Sequence, residues 1–212
     1  MEQLDAADVR LVAGLLVGGF AVFFTGAVLW RLAYQRSLPE SLAAIADSHV
    51  RWRWINCWMA AGVTVTLMGL AGLTYLFTKA GGQVYSVFGF TLFAIGALVW
   101  LPGVVWRLSV LDSAADEFVV TGEVDAGVEA WGRFFEYVHG FHMILAYLSW
   151  VALAASIFDT GILPHWVAWM GVVLGSTGAA GYVSLKGGPF APPIQAHLYT
   201  LVLGVALLVK WT

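Results

Sequence analysis

Cysteine is almost missing: Cys57 is the single one in 212 residues. That excludes an internal disulfide, a CxxC redox pair, a CxxCH haem attachment and any thiolate-rich metal site. Lying within an apolar run, Cys57 is expected to act as a small buried hydrophobe. Charge is scarce too, at 11% of residues, where a soluble domain carries about 25%. The ten Lys and Arg are scattered singly or in pairs, which leaves no basic surface for nucleic acid. No Walker A sequence, G-x-S-x-G elbow, dinucleotide fingerprint or HExxH pair is present.

Apolar residues fill the chain instead. They make up 60% of it, above the roughly 45–50% of soluble domains. A helix needs about 20 apolar residues to cross a bilayer. Six segments meet that requirement, at about residues 9–34, 54–78, 84–107, 134–158, 164–185 and 192–211. Their runs are continuous rather than alternating with period two, which disfavours strands. The expected fold is therefore all-α, a polytopic membrane protein folded as one six-transmembrane-helix bundle over residues 1–212. The first span follows Glu2, Asp5 and Asp8 with no basic stretch before it, and it is too long for a signal-peptide core. It is expected to be retained as a membrane helix.

Turn signals separate the spans at Ser37-Leu38-Pro39, Lys79-Ala80-Gly81-Gly82, Asp159-Thr160-Gly161 and Gly187-Gly188-Pro189. Pro164 and Pro192-Pro193 suit the first turn of a helix, where a missing N–H costs nothing. Residues 108–133 form the one long connection, with Asp112, Asp116, Glu117, Glu123, Asp125 and Glu129. A solvated acidic face is the ordinary reading of such a run, and a docking surface for a cytoplasmic partner or a divalent cation is the alternative. Val124, Val128 and Trp131 recur at helical spacing, so the fourth helix is expected to start before the membrane, after a break at Thr121-Gly122.

Arg31, Arg36, Arg51, Arg53, Arg107, Arg133 and Lys186 fall on one side of these spans, against Arg10, Lys79 and Lys210 on the other. The positive-inside rule then puts both termini outside and the acidic connection in the cytoplasm. Most of the eleven Trp suit interfacial belts, and Trp100 and Trp150 lie deeper, as packing or pocket residues. Arg51, Trp52 and Arg53, with His49 beside them, are expected at headgroup level, in contact with anionic lipid. Gly14-x-x-x-Gly18 and Gly171-x-x-x-Gly175 mark helix contacts, and the glycine-rich fifth span is expected in the middle of the bundle.

The polar chemistry concentrates in Glu136-Tyr137-Val138-His139-Gly140-Phe141-His142, at the start of the fourth span. At ~1.5 Å per residue, His142 lies roughly 12 Å into its span and His197 roughly 7 Å into the sixth, from the same side. Glu136, His139 and His142 sweep an arc of about 120° on one helix face. Ionisable groups at such depth point to a functional site by default. Three chemistries suit them. One is haem b, with axial imidazoles from His197 and His139 or His142, and room for a porphyrin over Gly140. Another is a divalent metal held by His139, His142, His197 and Glu136. The third is a quinone or proton site, in which a His donates to a carbonyl and Glu136 exchanges protons with the cytoplasm. A structural role for the same residues stands beside these, with hydrogen bonds between helices and Glu136 at a helix N-terminus. The chain would then be an accessory subunit of a larger membrane complex. A small-molecule transporter is a third class, although no span shows a mid-membrane break.

Gly161-Ile162-Leu163-Pro164-His165-Trp166-Val167-Ala168-Trp169-Met170-Gly171 resembles a segment of small bacterial membrane proteins of the domain-of-unknown-function 4386 group. There, Leu-Pro, a basic residue and Trp open a Gly-rich helix near the C-terminus. The basic residue is usually Arg, and His165 departs from that. The resemblance covers about a tenth of the chain. It implies a bacterial polytopic protein and carries over no catalytic residue.

Overall fold

A computed structural model describes residues 4–34, 37–185 and 188–211. Arg36 and Lys186, counted above for orientation, lie outside these, as does Glu2. Among the described residues the chain is all-helical with no strand. The helices are α1 (Ala6–Tyr34), α2 (Leu38–Asp47), α3 (His49–Lys79), α4 (Gln83–Trp106), α5 (Asp112–Thr121), α6 (Ala126–Thr160), α7 (His165–Ser184) and α8 (Gln195–Trp211). A π-helical turn, Arg107–Leu111, joins α4 to α5 without a break. Among the described residues, five helical stretches are long and apolar enough to cross a membrane: Ala6–Leu32, His49–Lys79, Gln83–Thr121, Ala126–Thr160 and His165–Ser184.

The residues that start and stop these helices explain their bounds. Asp5 accepts from the N–H of Ala7 (2.8 Å) to open α1. Glu40 accepts from the N–H and hydroxyl of Ser37 to open α2, with Pro39 in its first turn. Asp125 accepts from Gly127 and Val128 to open α6, eight residues before the expected start of its span. Gly122 (φ +72°) and Gly161 (φ +61°) close α5 and α6 in the left-handed region that favours glycine. Pro192 and Pro193 precede α8 instead of entering it. Their carbonyls accept from Gln195 and Ala196 in a tight lead-in turn.

The helices form two groups of three. In one, α1 packs between α3 and α8; in the other, α6 packs between α4 and α7. The groups join along α3 and α4, with few contacts elsewhere. The remaining short helices, α2 and α5, pack on each other across one end.

Several expectations are corrected here. The acidic connection at 108–133 is helical for most of its length, because α4 runs on through the π turn into α5. Five of its acids are exposed and solvated, but Asp112 is buried. Arg53 donates to Asp112 Oδ2 through Nε (3.1 Å) and Nη2 (2.6 Å), and His49 Nδ1 faces Asp112 Oδ1 at 2.8 Å. His49 Nε2 also faces Asp116 at 3.0 Å. This clamp ties the start of α3 to α5, so His49 and Arg53 bind protein carboxylates at the headgroup level where lipid was expected. Arg51 lies 3.8 Å from Asp47, one turn before it.

Cys57 is exposed on the outer face of α3, because the buried stripe runs through Trp52, Ile55, Asn56, Met59 and Val63. Gly14 and Gly18 face open space. The close approach of α1 to α3 uses Gly19 and Gly26 instead, whose added Cβ atoms would meet Thr66 and Met59. The second glycine pair does mark a contact: a Cβ on Gly175 would stand 2.6 Å from the Tyr147 carbonyl oxygen. Yet α7 sits at the edge of its group with that face on α6. The most enclosed membrane-length helix is α6.

Two stability outcomes follow, both read as thermal unfolding in detergent. Gly175→Ala forces backbone against Cβ and costs about 1–3 kcal/mol, as overpacking does, whereas Gly14→Ala changes stability by less than about 1 kcal/mol. Asp112→Asn keeps the shape of the side chain but removes the charge shared by Arg53 and His49, and costs about 2 kcal/mol. Equal unfolding temperatures for the two glycine variants, or an unchanged one for Asp112→Asn, would contradict these assignments.

Candidate functional site

The two three-helix groups meet along a seam, and the polar residues singled out in the sequence lie along it in two zones. The deeper zone is closed. His142 on α6 and His197 on α8 are both buried. The Phe93 ring of α4 stands edge-on to each, with centroids 6.0 Å from His142 and 5.5 Å from His197. His197 stacks on Phe23 at 4.0 Å, and His142 lies 5.9 Å from Trp100. Gly96 leaves room for the His142 ring, since a Cβ there would come within 3.0 Å of Nδ1. Thr66 Oγ1 and His197 Nδ1 are 3.3 Å apart. Among the described residues, His142 Nδ1 and His197 Nε2 make no hydrogen bond of good geometry.

The second zone is open. A cavity of about 780 Å³ lies at the end of the seam that α2 and α5 cover, and Glu136 and His139 line it. Trp30, Trp52, Trp100 and Trp106 wall it, from α1, α3 and α4. Arg107, in the π turn after α4, is on its wall, and Tyr182 of α7 is opposite on the α6 side. Trp52 was expected at headgroup level, in contact with anionic lipid. Its indole is instead 2% exposed and donates through Nε1 to the Arg107 carbonyl at 2.9 Å, which fixes the turn. Pro102 sits one turn before it inside α4, where it removes a backbone donor from the ladder. A π turn of this kind often falls at a functional position.

The four residues expected to converge therefore separate into two pairs. His139 donates through Nε2 to the Ala191 carbonyl (2.8 Å), stitching the loop before α8 onto α6. Tyr147 reinforces that loop by donating to the Phe190 carbonyl and to Gln195. Among the described residues, no three His, Cys, Asp or Glu side chains come together as ligands for a metal ion. The packing does not fit a porphyrin either. Phe93 lies against both buried imidazoles, and the Tyr182 ring occupies the space over Gly140.

No protein-family model, curated protein or solved structure matches the chain.

Reasoning from sequence missed Arg107, which entered only the count of basic residues that sets orientation. Its Nε donates to the Gly103 carbonyl (3.2 Å), and its guanidinium lies over the Trp100 ring, 5.2 Å from the centroid. Pro102 five residues earlier was the available signal, because it marks where the helix ladder loosens. The two deep imidazoles give a direct test of whether they serve structure. An unpaired buried nitrogen gains nothing from being polar, so His142→Phe should hold thermal stability to within about 1 kcal/mol. A loss several times larger would mean that Nδ1 has a partner, such as a buried water, that stabilises the seam.

Proposed function

We propose that the protein is a multi-pass membrane protein that binds a small amphiphile in the cavity between its two three-helix groups. The observation that carries this reading is the cavity itself. Its volume of about 780 Å³ falls within the roughly 300–1,000 Å³ of ligand sites. It combines four tryptophan walls with a few polar groups at one end, which suits a molecule with an apolar body and a polar head. Of the three chemistries weighed from sequence, the quinone or proton reading uses Glu136 and His139, the pair that shares this cavity. Haem needs His197, and the metal set needs both His142 and His197, which lie outside it.

In this reading α8, at 17 residues, is the sixth span. Both termini lie outside, and the cavity opens toward the cytoplasm at interface depth. An amphiphile would enter from the cytoplasmic leaflet. Glu136, exposed at the rim, exchanges protons with water, and the tryptophans hold the apolar body. The lipid bilayer is the surrounding partner.

Gly132 gives the test. It lines the cavity, and a Cβ there would meet nothing closer than Trp106 at 3.9 Å, so a larger side chain enters the cavity without backbone strain. Native mass spectrometry of protein purified in neutral detergent should show one retained small amphiphile, and Gly132→Leu should lose it while unfolding at the wild-type temperature. Retention unaffected by Gly132→Leu, or no retained molecule in the wild type, would reject the cavity as the site.

A further inference from the structure

Arg107, half-buried, lines this cavity and forms no ion pair among the described residues. Its Nε is used on the Gly103 carbonyl, while the two terminal nitrogens have no acceptor among the described residues. No carboxylate comes within ion-pair distance of it there. The other cavity arginine, Arg133, is exposed and lies 3.9 Å from Glu129, one turn away. Glu136 is at the exposed rim, on a different helix, and forms no ion pair with Arg107. Taking a charge out of water into an apolar bundle costs several kcal/mol unless a partner compensates.

The surroundings present that charge rather than hide it. Trp100 lies under one face of the guanidinium, and the indole of Trp52 holds the residue's own carbonyl. The side chain is thus braced at Nε and at its face, which leaves the planar end with its terminal N–H groups. That geometry matches an oxyanion, which can take two parallel hydrogen bonds from a guanidinium.

From these observations we infer that the cavity selects an amphiphile with an anionic head, a carboxylate or a phosphate, which Arg107 binds while the tryptophans hold the tail. The inference rests on the cavity reading above and names the ligand class for it. The acids at the rim make a singly charged head the better fit, because Glu129 and Glu136 would repel a second charge. A neutral carbonyl head, as in a quinone, would leave the guanidinium without its counter-charge.

The test uses the full chain, delipidated in neutral detergent, with native mass spectrometry as the readout. Four probes are added separately: hexadecanoate, hexadecyl phosphate, hexadecanol and a short-chain quinone, with inorganic phosphate as a head without a tail. The expected result is one bound equivalent of hexadecanoate or hexadecyl phosphate, and the stronger of the two identifies the head. Hexadecanol, the quinone and inorganic phosphate should bind at least about tenfold more weakly, as expected when a charge-assisted contact is lost. Arg107→Gln should remove that preference, and Arg107→Lys should keep part of it, since the charge stays but the planar fork goes. Equal binding of hexadecanol, preferential binding of the quinone, or an unchanged preference in Arg107→Gln would overturn the anionic head and leave the cavity reading standing. Failure of every tailed probe to bind would overturn both. Should Arg107→Gln not fold, the wild-type comparison of hexadecanoate with hexadecanol decides alone.

Discussion

Polar groups inside an apolar bundle must find partners within the protein, because lipid offers none. That constraint shapes this chain more than any single apolar contact. Where partners are found, the structure is pinned: Arg53 and His49 on Asp112, Trp52 on the Arg107 carbonyl, His139 on Ala191, Tyr199 on Val167, and Lys210 on the carbonyls of Gly161 and Ile162. Each of these bonds links segments that are distant in sequence. Together they hold α5 over one end of the bundle, fix the loop before α8 and seat the end of α8 on the turn after α6. The unpaired groups fall elsewhere. Of those among the described residues, His142 at Nδ1 and His197 at Nε2 lie along the seam between the two three-helix groups, and Arg107 stands at its cavity end.

The seam follows from how the helices approach one another. Within a group, glycines bring backbones close: Gly19, Gly26 and Gly62 between α1 and α3, and Gly171, Gly175 and Gly178 on α7 against α6, with Gly171 also meeting Tyr199 of the other group. Small residues are the principal means of tight packing where lipid gives no hydrophobic drive. Between the groups, large aromatic rings do the filling, with Phe23, Phe93, Trp100 and the two imidazoles in contact. Rings pack with fixed shapes, and at the end where they run out the cavity begins. Trp100 belongs to both zones, touching His142 on one side and lying under Arg107 on the other.

Much of the architecture was legible in the sequence, and what was not shares a physical cause. The all-helical apolar character, the break at Gly122, the capped turn at Gly161 and the burial of Trp100 and Trp150 follow from hydropathy and turn chemistry, which are local. Facing is not local. Gly14-x-x-x-Gly18 and Gly171-x-x-x-Gly175 are the same pattern, yet one meets nothing and the other meets Tyr147 and Tyr199, because rotation of each helix is set by its neighbours. The histidines repeat the lesson. Their depth could be computed from rise per residue, but a turn of helix separates His139, at the cavity, from His142, behind Phe93. Asp112 was hidden in a run of acids that are otherwise solvated, and its partners lie some 60 positions back, where sequence patterns give no pairing signal.

The same reasoning orders the functional readings. A site for chemistry needs polar groups that are accessible as well as unsatisfied, and the two zones differ in that respect. His142 at Nδ1 and His197 at Nε2 are unsatisfied among the described residues but enclosed by aromatic rings. Arg107 is unsatisfied and faces space. An arginine is also far harder to neutralise than an imidazole, since it holds its proton even when buried. An imidazole left without a partner can shed its charge and remain as a poor but tolerable core residue, at a cost of about 1–3 kcal/mol. A guanidinium has no such exit and stays charged, so it keeps its donors for water or for a ligand in the cavity. On this argument the braced arginine, rather than the denser histidine cluster, is the better candidate for a ligand contact.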